Sequence, residues 1–179
     1  SNCSADVSTK DAVSTIPARR GSGIGRRLLF LVPLWALVLA GYGGYHLWQV
    51  TPFFEAVRNA DKGDWTKAVD GYIDAAGRNP RMAAAYHQLG VSLYRMSEAG
   101  SPLARETDVA LCKLDGLRDS AYCSGNGSSE AKPLLDLSLA ALQKTVELDP
   151  YYGLHWYNLS MVYLALGQPQ NALTAAQNA

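Results

Sequence analysis

The chain has 179 residues, with 16 Lys and Arg against 16 Asp and Glu, three His and three Cys. That length holds one domain with a modest core beside an apolar segment. The charge is balanced overall and slightly acidic over residues 49–179, where 11 basic side chains face 14 acidic ones, which argues against a nucleic-acid partner.

Residues 1–27 form a polar, basic tail with the composition of disorder: Lys10, Arg19, Arg20, Arg26 and Arg27 against Asp6 and Asp11, a net charge of +3. Its "GSGIG" at 21–25 follows no strand and opens no βαβ unit, so it is not read as a phosphate cradle. No lipobox precedes Cys3.

Next comes "LLFLVPLWALVLAGYGGYHLWQVTPFF", Leu28 to Phe54, without one Asp, Glu, Lys or Arg. A helix rises 1.5 Å per residue, so about 20 residues cross a hydrocarbon layer roughly 30 Å thick. Leu28 to Trp48 supplies that length, and the expected transmembrane helix is placed at 28–50. The alternative is a signal peptide cut after Val38-Leu39-Ala40. Against it stand the long polar region before the apolar run and the run's continuation through Tyr42, Tyr45, Leu47 and Trp48. Basic flanks are held on the cytoplasmic side. The tail is therefore expected inside, and everything after the span across the membrane. Tyr42, Tyr45, Trp48, Phe53 and Phe54 cluster at the far end, where amphipathic rings favour the headgroup layer. Gly41, Gly43 and Gly44 either let a second helix approach or are simply tolerated in the span. Thr51 and Pro52 read as the N-cap and first turn of a new helix, which begins the extramembrane domain at 52–179.

Within that domain Cys112 and Cys123 lie on the outer side, away from Cys3, so the intrachain bridge this topology allows is Cys112–Cys123. Two free thiols are the alternative. No CxxC or CxxCH occurs, and His46, His87 and His155 lack ligand-like spacing, so neither metal nor haem is expected. No nucleophile elbow accompanies the Ser, His and Asp residues, and no enzyme is expected. "NGS" at Asn126 and "NLS" at Asn158 fit the glycosylation pattern, which chance often produces.

Two stretches, "GDWTKAVDGYIDAAGRNP" and "LDLSLAALQKTVELDP", end at Pro80 and Pro150 and run straight into "RMAAAYHQLGVSLYRM" and "YYGLHWYNLSMVYLALGQPQNALTAAQNA". The pattern resembles the tetratricopeptide repeat, a pair of helices A and B. Trp156, Leu159, Tyr163, Gly167 and Ala172 match in order, with Ser160 where glycine is usual. Tyr86, Leu89 and Gly90 match helix A of a second unit, with Leu93 in place of its Tyr. Gly63, Trp65, Ala68, Tyr72, Ala75 and Pro80 match the turn and helix B of a first, whose helix A over Val50 to Asp61 matches poorly. The resemblance implies an all-α fold: one transmembrane helix, then an α-solenoid of helical hairpins whose apolar faces must stack.

Pro80 and Pro150 lie 70 residues apart, about twice the repeat length, so an insertion is expected between the helices of the second unit at about 97–134. Ser101 and Pro102 read as the start of an added helix and "CSGNGSSE" as a loop, either functional or merely tolerated. The sequence stops at Ala179 inside helix B of the third unit, which leaves an apolar face to further chain or to a partner.

The family binds its partners along the concave face of its A helices. The resemblance carries that face onto Ala84, His87, Val91 and Tyr94 in the second unit, and onto Leu154, Tyr157, Met161 and Leu164 in the third. Each of these is alternatively an ordinary packing residue. The groove lacks the basic pair that clamps a carboxylate terminus in chaperone-binding members, so an apolar peptide or helix is the expected ligand. The expected role is an accessory subunit stabilising a multi-subunit complex, of the respiratory or photosynthetic kind, in an energy-transducing inner membrane. Its partners would be other membrane-protein subunits and the lipid bilayer, with no cofactor. The alternative is an assembly factor or periplasmic holdase near the translocon or a cytochrome maturation system.

Overall fold

The computed structural model describes residues 24–103, 105–124 and 133–179, with side chains from 33 onward and, within 105–124, from 107. Tail 1–23, with Cys3, the orienting charges at Arg19 and Arg20, and Asn126 lie outside the described residues; so do the side chains of Arg26, Arg27 and 28–32. All regular structure among the described residues is helical: α1 Ile24–Asp61, α2 Trp65–Arg78, α3 Ala83–Glu98, α4 Arg105–Leu111, α5 Pro133–Leu148, α6 Gly153–Ala165 and α7 Pro169–Gln177. Two compact units divide the chain, Ser1–Gly41 and Tyr42–Ala179.

In the first unit Leu34, Trp35, Leu37, Val38 and Leu39 of α1 are each more than half exposed. Among the described residues no helix is long and apolar enough to cross a membrane. The described part of the expected span, from Pro33 to Trp48, carries three Gly, two Tyr and one His among its aliphatic residues. Its most aliphatic start, 28–32, lies outside the described side chains.

The second unit is three helical hairpins in chain order. In the first, residues 42–61 of α1 pack on α2. Gly71 lets the two backbones approach, since a Cβ there would meet the Ala56 Cβ at 2.8 Å and the Pro52 carbonyl oxygen at 3.2 Å. Phe53 packs against Tyr72 with ring centroids 5.8 Å apart. Asp64 caps α2, accepting from the Lys67 backbone N–H at 3.3 Å.

The expected helix start at Thr51–Pro52 is not there: α1 runs through both residues to Asp61. Thr51 Oγ1 donates back to the Leu47 carbonyl at 2.6 Å, a bond made inside a helix rather than at its cap. Pro52 has no N–H for the Trp48 carbonyl four residues earlier. Arg78 Nη1 supplies the missing donor at 2.7 Å, from the end of α2. The same guanidinium lies 4.6 Å from the Trp48 ring centroid and pairs with Asp74 at 2.7 Å.

The second hairpin is α3 with α5. Ser138 Oγ donates to the Gly90 carbonyl at 2.7 Å, fully buried, and Leu142 lies against Gly90, where a Cβ would stand 2.7 Å from its Cγ. The third is α6 with α7, in which Leu159, Val162, Ala172 and Ala175 are buried and Trp156 Nε1 donates to the Pro150 carbonyl at 2.7 Å. Residue 160 is nearly buried, and its Oγ donates to the Tyr157 carbonyl at 2.7 Å.

The helix that opens each hairpin ends in the same way. After α3, Gly100 takes φ +64°, its N–H donates to the Ser97 carbonyl, and the Ser101 N–H donates to the Met96 carbonyl at 2.9 Å. Gly63 and Gly167 close α1 and α6 with the same pair of bonds. Ser101 is thus spent in terminating α3 and is not the N-cap of the added helix; α4 begins at Arg105. The connection spans 62–64 in the first hairpin and 166–168 in the third, but 99–132 in the second.

The described part of that long connection is tied down. Thr107 Oγ1 donates to Asp70 Oδ1 on α2 at 2.7 Å, and Lys144 of α5 pairs with Asp115 at 2.9 Å. Leu111, Leu114 and Leu117 are buried. Cys112 and Cys123 are joined by a disulfide, with Cα atoms 5.4 Å apart.

Candidate functional site

The helices α3 and α6 open their hairpins in the same sense and lie near one another, so residues one turn apart on each share a groove. Val91 and Tyr94 from α3 and Tyr157 and Met161 from α6 line a hollow of about 160 Å³ with Leu142 of α5 at its floor. Arg95 and Glu98, paired at 3.0 Å, stand at one rim. Tyr157 is 53 % exposed and Met161 36 %, so both side chains present apolar surface to solvent.

A second, more open hollow of about 440 Å³ lies at the start of the same helices and holds Ala84, His87, Leu154, His155, Asp149 and Tyr152. His87 is 8 % exposed and His155 5 %. Their ring centroids are 4.7 Å apart, with Tyr152 edge-on to His155. With the imidazole neutral, Asn158 Nδ2 donates to His87 Nε2 at 2.7 Å. A protonated ring would set two donors face to face. Burial, and then the neighbouring His155, hold His87 down at about 4. Burial also lowers His155, against the opposing pull of Asp149, whose Oδ2 is 3.5 Å from Nε2.

Of the expected groove residues, Val91, Tyr94, Tyr157 and Met161 come together. His87 and Leu154 sit in the second hollow, with His87 buried and bonded rather than free to meet a ligand, and Leu164 is 55 % exposed outside both. Leu142 and Asn158 were not expected in the groove. Asn158 lies four residues after Leu154, so helical periodicity alone places it on the groove face; Leu142 comes from a B helix and carries no such signal. As a glycosylation acceptor Asn158 is poorly placed, since its amide is engaged with His87.

The hollow brings apolar side chains from α3 and α6 together, and its rim offers one paired cation and anion. Residues 141–174, from the second half of α5 into α7, match the family model described as tetratricopeptide repeat. No curated protein matches the chain.

Proposed function

We propose that this chain is a non-catalytic scaffold that holds an apolar peptide segment or helix between α3 and α6. We further propose that it is an accessory subunit stabilising a multi-subunit complex in an energy-transducing inner membrane. In this reading a single span at 28–50 anchors it, tail 1–27 is cytoplasmic, and the hairpins lie on the periplasmic or lumenal side. The observation that carries the binding role is the solvent-open hollow where Val91, Tyr94, Tyr157 and Met161 meet beside the polar Arg95, Glu98 and Asn158, in a chain whose residues 141–174 match the tetratricopeptide repeat. The uncharged run from Leu28 to Phe54, and the exposure of Leu34 to Leu39 around α1, support the anchor. The Cys112–Cys123 disulfide supports an oxidising compartment.

The test is co-purification in mild detergent with Tyr157 and Met161 both replaced by Glu. The partner is lost while helicity and melting stay near those of the parent, whereas Trp156→Ala, in the packed layer, lowers the melting temperature. A groove variant that melts as early as Trp156→Ala would show these residues to be core. Survival of both fold and partner would move the contact elsewhere on the domain. A partner retained in fixed stoichiometry identifies a subunit; one captured only while the complex is being built identifies an assembly factor.

A further inference from the structure

The second unit has two edges, and they differ in chemistry. Each hairpin runs out along its first helix and back along its second, so the turns between hairpins gather at one edge. Arg78, at the end of α2, reaches Trp48, which fixes the Asn79–Met82 turn at the level of that tryptophan. Ala83 and Ala84, at the start of α3, share a hollow with Asp149 and Tyr152, which brings the Asp149–Tyr152 turn to the same edge. On this edge Tyr45 is 55 % exposed, Trp48 51 %, Tyr152 53 % and Tyr151 96 %. Arg81 is exposed beside them. Asp149, on the same turn as Tyr151, has a side chain 45 % exposed. The opposite edge, where the glycine-closed turns lie, presents exposed Asp61, Lys62 and Glu98.

A tyrosine left almost fully in water on a turn contributes nothing to the hairpins. Tyr and Trp with one apolar end and one polar end suit the layer where hydrocarbon meets water, and Arg suits lipid phosphate. Trp48 also lies at the end of the span, 28–50, that the anchor reading places in the bilayer, so an edge level with Trp48 is level with the headgroups. We infer that the edge carrying Tyr151, Tyr152 and Arg81 rests on the lipid headgroup layer, so that the hairpins lie along the membrane surface and not away from it. This inference rests on the anchor proposed for residues 28–50.

Fluorescence quenching in phosphatidylcholine vesicles tests it, using the full chain with Cys3→Ser, the disulfide intact, and one added cysteine carrying a polarity-sensitive dye. The dye is placed in turn at Tyr151→Cys, at Glu98→Cys on the opposite edge, and at Leu39→Cys in the apolar stretch. With a nitroxide on the lipid headgroup, the dye at 151 loses most of its emission and the dye at 98 keeps its own. With the nitroxide on the acyl chain, the dye at 39 is quenched. An unquenched 151 beside a quenched 39 overturns the edge contact and leaves the anchor standing. Equal quenching at 151 and 98 also overturns it, because the domain then has no preferred edge. If neither 151 nor 39 responds, the anchor is wrong and the inference falls with it.

Discussion

Arg78 donates to the carbonyl of Trp48, the one backbone acceptor that Pro52 leaves unserved within α1. A proline in a helix interior removes a hydrogen bond and crowds the preceding turn, at a cost of about 3 kcal/mol. Here the freed oxygen is satisfied from thirty residues away, by a side chain that also stacks on the Trp48 ring and pairs with Asp74. The helix continues past Pro52, and α2 is pinned to it at the same point.

Arg78→Ala should therefore destabilise the first hairpin by about 1–2 kcal/mol, the scale of a lost charge-assisted hydrogen bond that leaves its partner unsatisfied. Lysine at this position should recover only part, since it keeps the charge but not the planar fork. Amide exchange over residues 49–56 is the local readout. If Arg78→Ala leaves both melting and that exchange unchanged, the bond is ornamental.

Gly90→Ala places a methyl group 2.7 Å from Leu142 Cγ and 3.3 Å from the Ser138 carbonyl oxygen, so α3 and α5 must part. Overpacking of this kind costs about 1–3 kcal/mol. Combining it with Leu142→Ala, which alone opens a cavity, should cost less than the two separately. Strict additivity in chemical denaturation would mean that the two residues do not meet.

Reducing the Cys112–Cys123 bridge, or replacing both with Ser, frees a loop of sequence separation 11. Chain entropy sets the expected loss at about 3 kcal/mol for a loop of this size. The loss should be local: limited proteolysis should cut within 107–124 first, while α3, α5 and α6 stay protected. Simultaneous loss of protection everywhere would show the long connection to be integral to the hairpins.

His87, held at about 4, is neutral in the folded protein and charges readily once unfolded. The unfolded state then binds more protons between pH 6.5 and 4, so stability present above pH 6.5 drains away as pH falls toward 4. The His87 contribution is at most about 3 kcal/mol, with His155 adding in the same direction and Asp149 opposing it. Denaturation midpoints at pH 7 and pH 5 measure it. His87→Gln, which still offers an oxygen to Asn158, should narrow the gap between those midpoints; an unchanged gap would assign the acid sensitivity to other groups.

The hairpins were legible from the sequence because Tyr72, Tyr86, Leu89, Gly90 and Leu159 pack within and between helices adjacent in the repeat, and each fills the position its pattern implies. So was the long connection within the second pair. Thr51–Pro52 and Ser101 are both good local starts for a helix. At Ser101 a competing local signal wins, the Gly100 stop that closes α3. At Pro52 the backbone group concerned answers to a partner that local rules do not see, Arg78. The same holds in the groove. Tyr157 and Met161 are carried onto the groove by the family resemblance, but the pairing of His87 with Asn158 spans 71 residues and turns an expected ligand contact into part of the wall.

The identical stops at Gly63, Gly100 and Gly167 make the corner after each opening helix a place where chain length is free to change. By then α3 is already terminated, with the carbonyls of Arg95, Met96 and Ser97 satisfied, so the length of the ensuing segment does not alter the register of Gly90 against Ser138. Residues 99–132 use one such corner to carry α4 and the bridged segment out and back. The corresponding corners at 62–64 and 166–168 are therefore sites where a foreign loop or a small reporter domain should be grafted with the hairpins left intact.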